Sequence, residues 1–265
     1  MSSANMTIFR AYAQKSNPAS LPPSVLFSHS ETCLTVFDAF PKSIFHFLVI
    51  PRVRPPFNVY QLANLRSLLK CEKNCVKELL TDLSREANNV KKMIESEMFK
   101  KYGFKWEIWM GFHAIPSMEH LHLHVLSADL CSPRMKLKKH YNSFHPKRGF
   151  FIHLSDVLSW FDADPSYYKT TSQLKKSEYE PLLKEDLSCW KCDRNLSNMP
   201  KLKSHLQEEF DKLFLQEKAK VERERKRSDD LAQTSSSQIS LNDDDSPQYE
   251  LVRGSDEERG PHSEN

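Results

Sequence analysis

The stretch His113-Ala-Ile-Pro-Ser117-Met-Glu-His120-Leu-His122-Leu-His124-Val-Leu126 places three histidines at alternate positions. Successive side chains of a strand point to opposite faces of its sheet. The alternation therefore predicts a strand over Glu119–Ser127 that carries His120, His122 and His124 on one face and aliphatic side chains on the other. Three neighbouring imidazoles are unfavourable against a core unless each has a polar partner, so the pattern indicates a reactive site.

Three explanations fit this row of histidines. The side chains can be packed in a core with satisfied hydrogen bonds, or they can bind a metal ion as the three histidines of some zinc enzymes do. No carboxylate in the strand is placed to complete or orient such a metal site, so one would have to come from elsewhere in the chain. The third explanation is nucleophilic chemistry at phosphorus, since a neutral imidazole attacks near pH 7 and leaves again, while its neighbours stabilise charge on phosphate oxygens. We favour the third explanation and expect no catalytic metal.

The sequence around this row predicts an α+β fold. Strands are predicted at Cys33–Asp38, Ile44–Ile50, Phe104–Met110 and Glu119–Ser127. Apolar residues recur at three- and four-residue intervals from Val59 to Phe99, which predicts one long amphipathic helix, or two that join near Cys71. Asn58 is the candidate N-cap and Gly103 the stop. Short connections favour a largely antiparallel sheet with the helix packed on one face.

Two motifs resemble the histidine triad superfamily. His120-Leu-His122-Leu-His124-Val-Leu fits its His-φ-His-φ-His-φ-φ signature, and Asp38-Ala-Phe-Pro41-Lys42 with Phe45-His46-Phe-Leu-Val-Ile-Pro51 resembles its nucleotide-binding first half. Further segments narrow the resemblance to the aprataxin family, in its short fungal form, over about Phe9–Phe210: Gly111–Met118, Ser132-Pro133, Lys136–His140, Asn142–Phe144 and a downstream Cys/Cys/His module. The resemblance implies the histidine triad fold and hydrolysis of adenylated DNA. With a first strand at Cys33, we expect no N-terminal phosphopeptide-binding domain of the animal type.

The resemblance also implies a role for each residue around the triad. His122 would attack the AMP phosphorus and become adenylated. His124 and Ser117 would bind the phosphate oxygens, and His120 would help to orient the nucleophile. His113 would serve the leaving 5′-phosphate of the DNA as an acid.

Contacts with the nucleotide and with DNA are implied in the same way. Asp38 would hold the ribose hydroxyls of AMP, with turn capping as its alternative, and Lys42 would bind the nucleotide as well. The candidates for DNA contact are Lys136, Lys139, Phe9 and Tyr12. The two lysines lie in a segment, 131–150, with six basic and no acidic residues, which favours contact with a DNA backbone. The two aromatic residues would wedge against the terminal base pair, or else simply pack their helix.

A second motif predicts a zinc site. Cys189-Trp-Lys-Cys192, followed after twelve residues by His205, has the spacing of a Cys2His2 zinc finger. The second histidine is missing, but Glu209 lies four residues after His205 and can reach the same ion. Glu208, a water molecule or a remote residue is the alternative fourth ligand. A set of Cys189, Cys192, His205 and Glu209 leaves no open position, so we predict a structural zinc; some fungal aprataxins resemble this C2HE arrangement.

The net charge of +3 conceals an uneven distribution. Ser228–Asn265 holds ten acidic and two basic residues, so the preceding residues carry +11, which favours a polyanionic partner. We recognise no bilayer-spanning apolar run and no secretory signal. Three segments are predicted: a catalytic domain with an N-terminal helix at 1–150, a linker and zinc module at 151–217 with a loop at Asp162–Thr171, and a charged extension with a disordered acidic tail at 218–265.

These inferences combine into a DNA-repair hydrolase that removes AMP from 5′-adenylated ends, nicks or breaks left by abortive ligation, through a covalent AMP–histidine intermediate. Two alternatives stay open. One is a general histidine triad hydrolase of free adenosine phosphoramidates or dinucleoside polyphosphates, and the other is a zinc-finger DNA-binding protein whose nucleotide pocket only senses a ligand. We expect a monomer with no membrane partner and with repair-factor contacts through the acidic tail. Lys218–Arg227 favours a nuclear location, with the cytoplasm as the second compartment.

Overall fold

The computed structural model describes residues 6–239 of the 265-residue chain. The described residues up to Lys218 form one compact unit, and those from Ala219 onward form a second. The first unit contains a six-stranded antiparallel sheet made of β1 (Leu26–His29), β2 (Cys33–Phe37), β3 (His46–Pro51), β4 (Ile108–His113), β5 (Leu123–Ser127) and β6 (Phe151–His153). Its spatial order is β1-β2-β3-β5-β4-β6, in which β5 lies between β3 and β4.

The helices are α1 (Ile8–Ala13), α2 (Leu65–Leu68), α3 (Lys73–Tyr102), α4 (Lys138–Asn142), α5 (Leu154–Ser159), α6 (Pro165–Thr171), α7 (Lys176–Tyr179) and α8 (Met199–Ile239). Short 3-10 turns occupy Pro18–Ser20 and Glu180–Lys184, and a small hairpin, β7 (Leu187–Ser188) with β8 (Asn195–Leu196), precedes α8. The α+β class with an antiparallel sheet is therefore confirmed.

The long helix α3 covers one face of the sheet. The side chain of Glu72 caps it by accepting hydrogen bonds from two backbone N–H groups at 3.0 and 2.8 Å. Gly103 ends it with a φ of 80°, a conformation that glycine adopts readily. Its buried side chains are Val76, Leu80, Leu83, Ala87, Val90, Ile94 and Met98. They share one core with Leu123 and Val125 of β5, so His124, which alternates with these two residues, points to the opposite face.

The helical region begins later than predicted. Asn58 caps a turn, in which its side chain accepts hydrogen bonds from the N–H groups of the second and third residues after it, at 3.0 and 3.1 Å. The cap of α2 is Asn64, whose side chain accepts a backbone N–H at 2.9 Å. The alternative with two helices that meet near Cys71 is confirmed. The prediction of Asn58 as helix cap is wrong, because its Asx turn ends before α2 starts.

The strand predictions miss β1 and start two other strands four residues too early. β1 has no counterpart among them, because the sequence Leu-Phe-Ser-His shows no sustained alternation. The strand predicted at Phe104–Met110 is shifted to Ile108–His113. The strand predicted at Glu119–Ser127 begins only at Leu123, because His120 has a φ of 82° that interrupts the extended backbone.

The segments after residue 150 also differ from the prediction. β6 joins the sheet by pairing with β4, so the sheet continues past the predicted end of the first domain. The loop predicted at Asp162–Thr171 contains α6. α8 includes the charged extension and continues to Ile239, into the tail that was predicted to be disordered from Ser228, while 240–265 lie outside the described residues. In the described part of the chain, no helix combines the length and apolar character needed to cross a bilayer.

Candidate active site and zinc module

Four histidine rings meet on the sheet face that α3 does not cover. They belong to His46 at the start of β3, His113 at the end of β4, His122 just before β5, and His124 within β5. The ring of His124 is central, with centroids 4.4 Å from His113, 5.0 Å from His122 and 5.2 Å from His46. Since β5 pairs with both β3 and β4, the sheet itself brings these distant residues together.

Close approach of the strands depends on Gly111, which lies opposite His124 in β4. An ideal Cβ at this position would lie 2.5 Å from the carbonyl oxygen of Ile152 and 2.6 Å from the ring of Phe151. With glycine at this position, the centroids of the Phe151 and His124 rings lie 6.4 Å apart. The missing side chain thus allows β6 to cover one flank of the histidine cluster.

The ring of His122 is oriented by the backbone of its neighbour. Its Nδ1 lies 2.8 Å from the carbonyl oxygen of His120, which can only accept a hydrogen bond. Nδ1 therefore carries the ring proton, and Nε2 keeps a lone pair. The side chain of His120 donates its own Nε2–H to the carbonyl of Pro51 at 2.7 Å. The prediction that all three histidines alternate along one strand is wrong, because the left-handed backbone of His120 takes it out of the row.

A chain of hydrogen bonds places the proton of His124. The backbone N–H of Lys42 donates to Nδ1 of His46 at 3.1 Å, so His46 is protonated on Nε2, which donates to Nδ1 of His124 at 3.0 Å. His124 therefore carries its proton on Nε2, a buried atom without a hydrogen-bond partner in the described chain. An unpaired buried N–H beside His122 is suited to bind a phosphate oxygen.

His46 is a functional residue that sequence reasoning missed. It stands in the Phe45–Pro51 motif, where the only signal was the motif itself. Its partner His124 is 78 positions away in the chain, and residue spacing alone does not show such a contact. The antiparallel pairing of β3 with β5 creates it.

Asp38 lies at the edge of the cluster. Its Oδ2 is 3.5 Å from Nε2 of His46, and its Oδ1 accepts the N–H of Phe40 at 2.7 Å, so it does cap the turn. Asp38, His46 and His124 each bring one potential ligand atom within 4.8 Å of the others. In this structure, however, the two imidazoles use their facing nitrogens to hydrogen bond with each other.

Burial keeps the cluster uncharged. It lowers the pKa of His46, and of His120 beside the cluster, to about 4, and it lowers the pKa of His113 and of His124 well below 6.5. The pKa of His122 is lowered by burial as well, against the opposing effects of its hydrogen bond to the preceding carbonyl and of the nearby carboxylate. At pH 7 the rings are neutral, the form in which an imidazole nitrogen is nucleophilic.

A buried carboxylate, Asp129, ties the loop before β3 to the end of β5. Its donors are the backbone N–H groups of Ile44 and Cys131, the indole N–H of Trp106 and the hydroxyl of Ser127. The first three lie 2.9 to 3.2 Å away. Burial raises the pKa of Asp129, and the hydrogen bonds oppose that rise. Because Ile44 lies two residues before His46, this network holds the loop that positions the imidazole.

The second candidate site is the zinc module formed by the β7–β8 hairpin and the start of α8. One ligand atom each from Cys189, Cys192 and His205 lies within 4.8 Å of the others, with Cys192 Sγ 3.2 Å from His205 Nε2. Two thiols and an imidazole at these separations fit a tetrahedral zinc ion. The carboxylate of Glu209 is not in this cluster, and it pairs with two lysine ammonium groups at 3.5 and 3.4 Å.

The zinc module is packed onto the sheet. The hydroxyl of Tyr141 donates to the carbonyl of Ser188 at 2.8 Å and accepts the N–H of Trp190 at 2.9 Å. The rings of Trp109 and Trp190 meet edge to face with centroids 4.9 Å apart. Cys189 is itself buried in this shared core, so the module and the sheet support each other.

Two family descriptions match this sequence. Residues 7–140 match the family described as scavenger mRNA decapping enzyme C-term binding, and residues 147–212 match the C2HE / C2H2 / C2HC zinc-binding finger. The aprataxin-like protein of Saccharomyces cerevisiae is 34% identical over 190 residues, which cover 67% of this chain and 83% of that protein. The chain belongs to the aprataxin family.

Other members differ in length from this aprataxin-family chain. The aprataxin-like protein of Drosophila melanogaster is 34% identical over 185 residues, which are 69% of this chain and only 24% of that protein. Among solved structures, Hnt3 in complex with DNA and guanosine has a TM-score of 0.59 at 27% identity and covers 79% of this chain and 97% of that one. The predicted histidine triad fold with a zinc finger is therefore confirmed.

Two other predicted site residues of this aprataxin-family chain, His113 and Ser117, lie beside the triad. The ring of His113 lies 4.5 Å from that of Phe144, and its Nε2 is buried with no hydrogen-bond partner among residues 6–239. Ser117 is exposed in the loop before the triad. His113 and His122 line a small pocket together with Asn64, a residue that sequence reasoning did not single out.

The two aromatic residues of α1 have unequal positions. The centroid of the Phe9 ring lies 5.1 Å from that of the His122 ring, so Phe9 borders the histidine cluster. Phe9 and Tyr12 both pack against a core that includes Ala13, Leu34 and Leu48. Helix packing thus accounts for part of their contacts, and the wedge role stays a prediction.

The lysines predicted to bind the nucleotide or DNA differ in burial. Lys42 is half-buried, its Nζ donates to the carbonyl of Phe40, and burial lowers its pKa. Its charge contributes to the lowered pKa of His113 and of His124, so its ammonium group lies near the cluster. Lys136, just before α4, and Lys139, within it, are both exposed.

Proposed function

We propose that this protein is a DNA-repair hydrolase that removes AMP from 5′-adenylated DNA ends. The observation that carries the proposal is the hydrogen bond from His122 Nδ1 to the His120 carbonyl, which leaves Nε2 with a lone pair. Nε2 attacks the AMP phosphorus, the bond from that phosphorus to the oxygen of the DNA 5′-phosphate breaks, and AMP is held on the ring. Water then breaks the phosphorus–nitrogen bond, which releases AMP and restores the imidazole.

The neighbouring residues support both steps in this proposal. His124 Nε2–H and the Ser117 hydroxyl bind the non-bridging oxygens on which charge accumulates. His113 gives a proton to the leaving 5′-phosphate, after the phosphate charge has raised its low pKa. Asp38 binds the ribose hydroxyls, and Lys42 neutralises phosphate charge.

The zinc module completes the proposal as a DNA-binding element. Cys189, Cys192 and His205 would hold a zinc ion, which supplies structural stability to a small segment. Glu209 is the proposed fourth ligand and must leave its lysine partners to reach the ion. The exposed Lys136 and Lys139 would contact the DNA backbone, and Hnt3, a structure of the same fold, is bound to DNA and guanosine. We further propose a monomer in the nucleus.

The test is the release of AMP from a 5′-adenylated nicked duplex, with His122→Ala beside the matched control His29→Ala, an exposed histidine of β1. We expect a loss on the order of 10⁴-fold for His122→Ala and none for the control. Mass spectrometry of the quenched wild type should show an AMP adduct on His122. Turnover of free dinucleotides alone would assign the protein to the general nucleotide hydrolases, and tight DNA binding without turnover would make it a sensor.

A further inference from the structure

One aromatic side chain near the site is exposed without an evident structural reason. Tyr60, in the loop between β3 and α2, is 74% exposed. The loop keeps its shape through the side chain of Asn58, which accepts the backbone N–H of Tyr60 at 3.0 Å. The ring itself is therefore not needed for the fold of the loop, and exposing it to water is unfavourable.

A cation lies over one face of this exposed ring. The guanidinium of Arg10, from α1, lies 5.5 Å from the ring centroid of Tyr60, within the range of a cation–π contact. Arg10 is also 3.6 Å from the carboxylate of Glu119, the residue just before the triad. The three side chains thus form a connected group of Tyr60, Arg10 and Glu119.

Backbone hydrogen bonds fix this group beside the reactive histidine. The N–H of His120 donates to the carbonyl of Ala63 at 2.9 Å, and the N–H of Leu121 donates to that of Leu62 at 2.7 Å, so the loop with Tyr60 is attached to the triad segment. Arg10 follows Phe9, whose ring borders His122. The Arg10 charge also contributes to the low pKa of His120, which places it near the mouth of the site.

We propose that Tyr60, backed by Arg10, is a stacking platform for a DNA base next to the adenylated 5′ end. The proposal rests on the proposed function, because it needs DNA as the substrate. An aromatic ring with a guanidinium nearby offers a flat apolar face and a positive charge, which suit a base and its phosphate. Stacking tolerates any base, as an enzyme that acts on breaks of any sequence requires.

The experiment compares Tyr60→Ala and Tyr60→Trp with the matched control Tyr167→Ala, a tyrosine of α6 that is 54% exposed. Affinity for an adenylated nick with 2-aminopurine beside the 5′ end is measured by fluorescence, alongside kcat and KM for the nick and for adenosine phosphoramidate. We expect about tenfold weaker DNA binding and a higher nick KM for Tyr60→Ala. Tyr60→Trp should bind as wild type with quenched 2-aminopurine, and Tyr167→Ala should change nothing.

Two results would overturn the platform. If Tyr60→Ala bound DNA as tightly as the wild type, Tyr60 would not stack on a DNA base. An equal rise in KM for the phosphoramidate would assign the ring to the adenosine instead of the DNA. The DNA affinities decide the question even if the wild type releases no AMP, so failure of the proposed function and failure of the platform give different results.

Discussion

The histidine cluster and the zinc module both gather imidazoles, but they hold them differently. In the cluster, a backbone group or another histidine binds one ring nitrogen of His46, His122 and His124. In the module, Nδ1 of His205 is buried with no hydrogen-bond partner in the described chain, and its Nε2 lies 3.2 Å from the thiol of Cys192. The histidine cluster is therefore held together by hydrogen bonds within the protein, whereas the zinc module has ligand atoms that are suited to bind one shared cation.

Because of this difference, we expect a chelator to unfold the zinc module and to leave the histidine cluster intact. The loss of folding in the module is the largest effect predicted here. Removing zinc should unfold it, since structural zinc contributes about 10–16 kcal/mol in finger peptides. Cys192→Ser should act in the same way, while Cys71→Ser, at a thiol outside the module, should not. Zinc content, thermal unfolding and DNA affinity measure the loss. Turnover of adenosine phosphoramidate should continue after brief chelation, and immediate inhibition that magnesium reverses would place a metal in the cluster.

The next prediction concerns the hydrogen-bond chain within the cluster. His46→Phe removes the donor that keeps the His124 proton on Nε2, so the phosphate oxygens lose an oriented partner. We expect kcat to fall by roughly 10²–10³-fold, with zinc content unchanged. Steady-state kinetics on the adenylated nick measure the effect, with His29→Phe as the control. A change in kcat below twofold would mean that the hydrogen bonds through His46 do not set the tautomer of His124.

Stability should depend on pH through the same buried rings. His46 and His120 have a pKa of about 4 in the folded protein and about 6.5 in the unfolded chain, so the unfolded chain binds more protons between these values. The free energy of unfolding should therefore stay level above pH 6.5 and fall toward pH 4, by up to about 3 kcal/mol for each ring. Urea titrations at several pH values test this. An unchanged slope in His46→Phe would contradict it.

A smaller effect is expected at the carboxylate that holds the cluster loop. Asp129→Asn replaces one carboxylate oxygen, which accepts hydrogen bonds, by an NH₂ group that faces other donors. We therefore expect the free energy of unfolding to fall by about 2 kcal/mol. The control Asp162→Asn, at an exposed ion pair with Lys77, should lose less than about 1 kcal/mol. Urea denaturation at pH 7.5 compares them. If Asp129→Asn and Asp162→Asn were equally stable, the Asp129 hydrogen bonds would contribute nothing to holding the loop beside the histidine cluster.

Sequence reasoning succeeded where the chemistry is local in the chain. The spacing of Cys189, Cys192 and His205 predicted three ligand atoms that the fold does bring together. The apolar spacing around Cys71 and the glycine at 103 predicted the helices and their end. In both cases neighbours within a few turns of chain determine the outcome.

Sequence reasoning failed where tertiary contacts override the local pattern. The alternation of His120 with its neighbours indicates a strand, yet a left-handed backbone and a hydrogen bond to Pro51 remove it from the row. No spacing rule pairs His46 with His124 across the sheet. Glu209 lies one helical turn from His205 as predicted, but the lysines beside it compete for the carboxylate.

Gly111 has a consequence for inherited variation in this chain. It bears no reactive group, yet even alanine there would collide with the Ile152 carbonyl and the Phe151 ring. Relief requires β6 to separate from β4, which uncovers the flank of His124. A missense allele at this codon is therefore expected to act as a loss-of-function allele while every residue of the histidine cluster remains encoded.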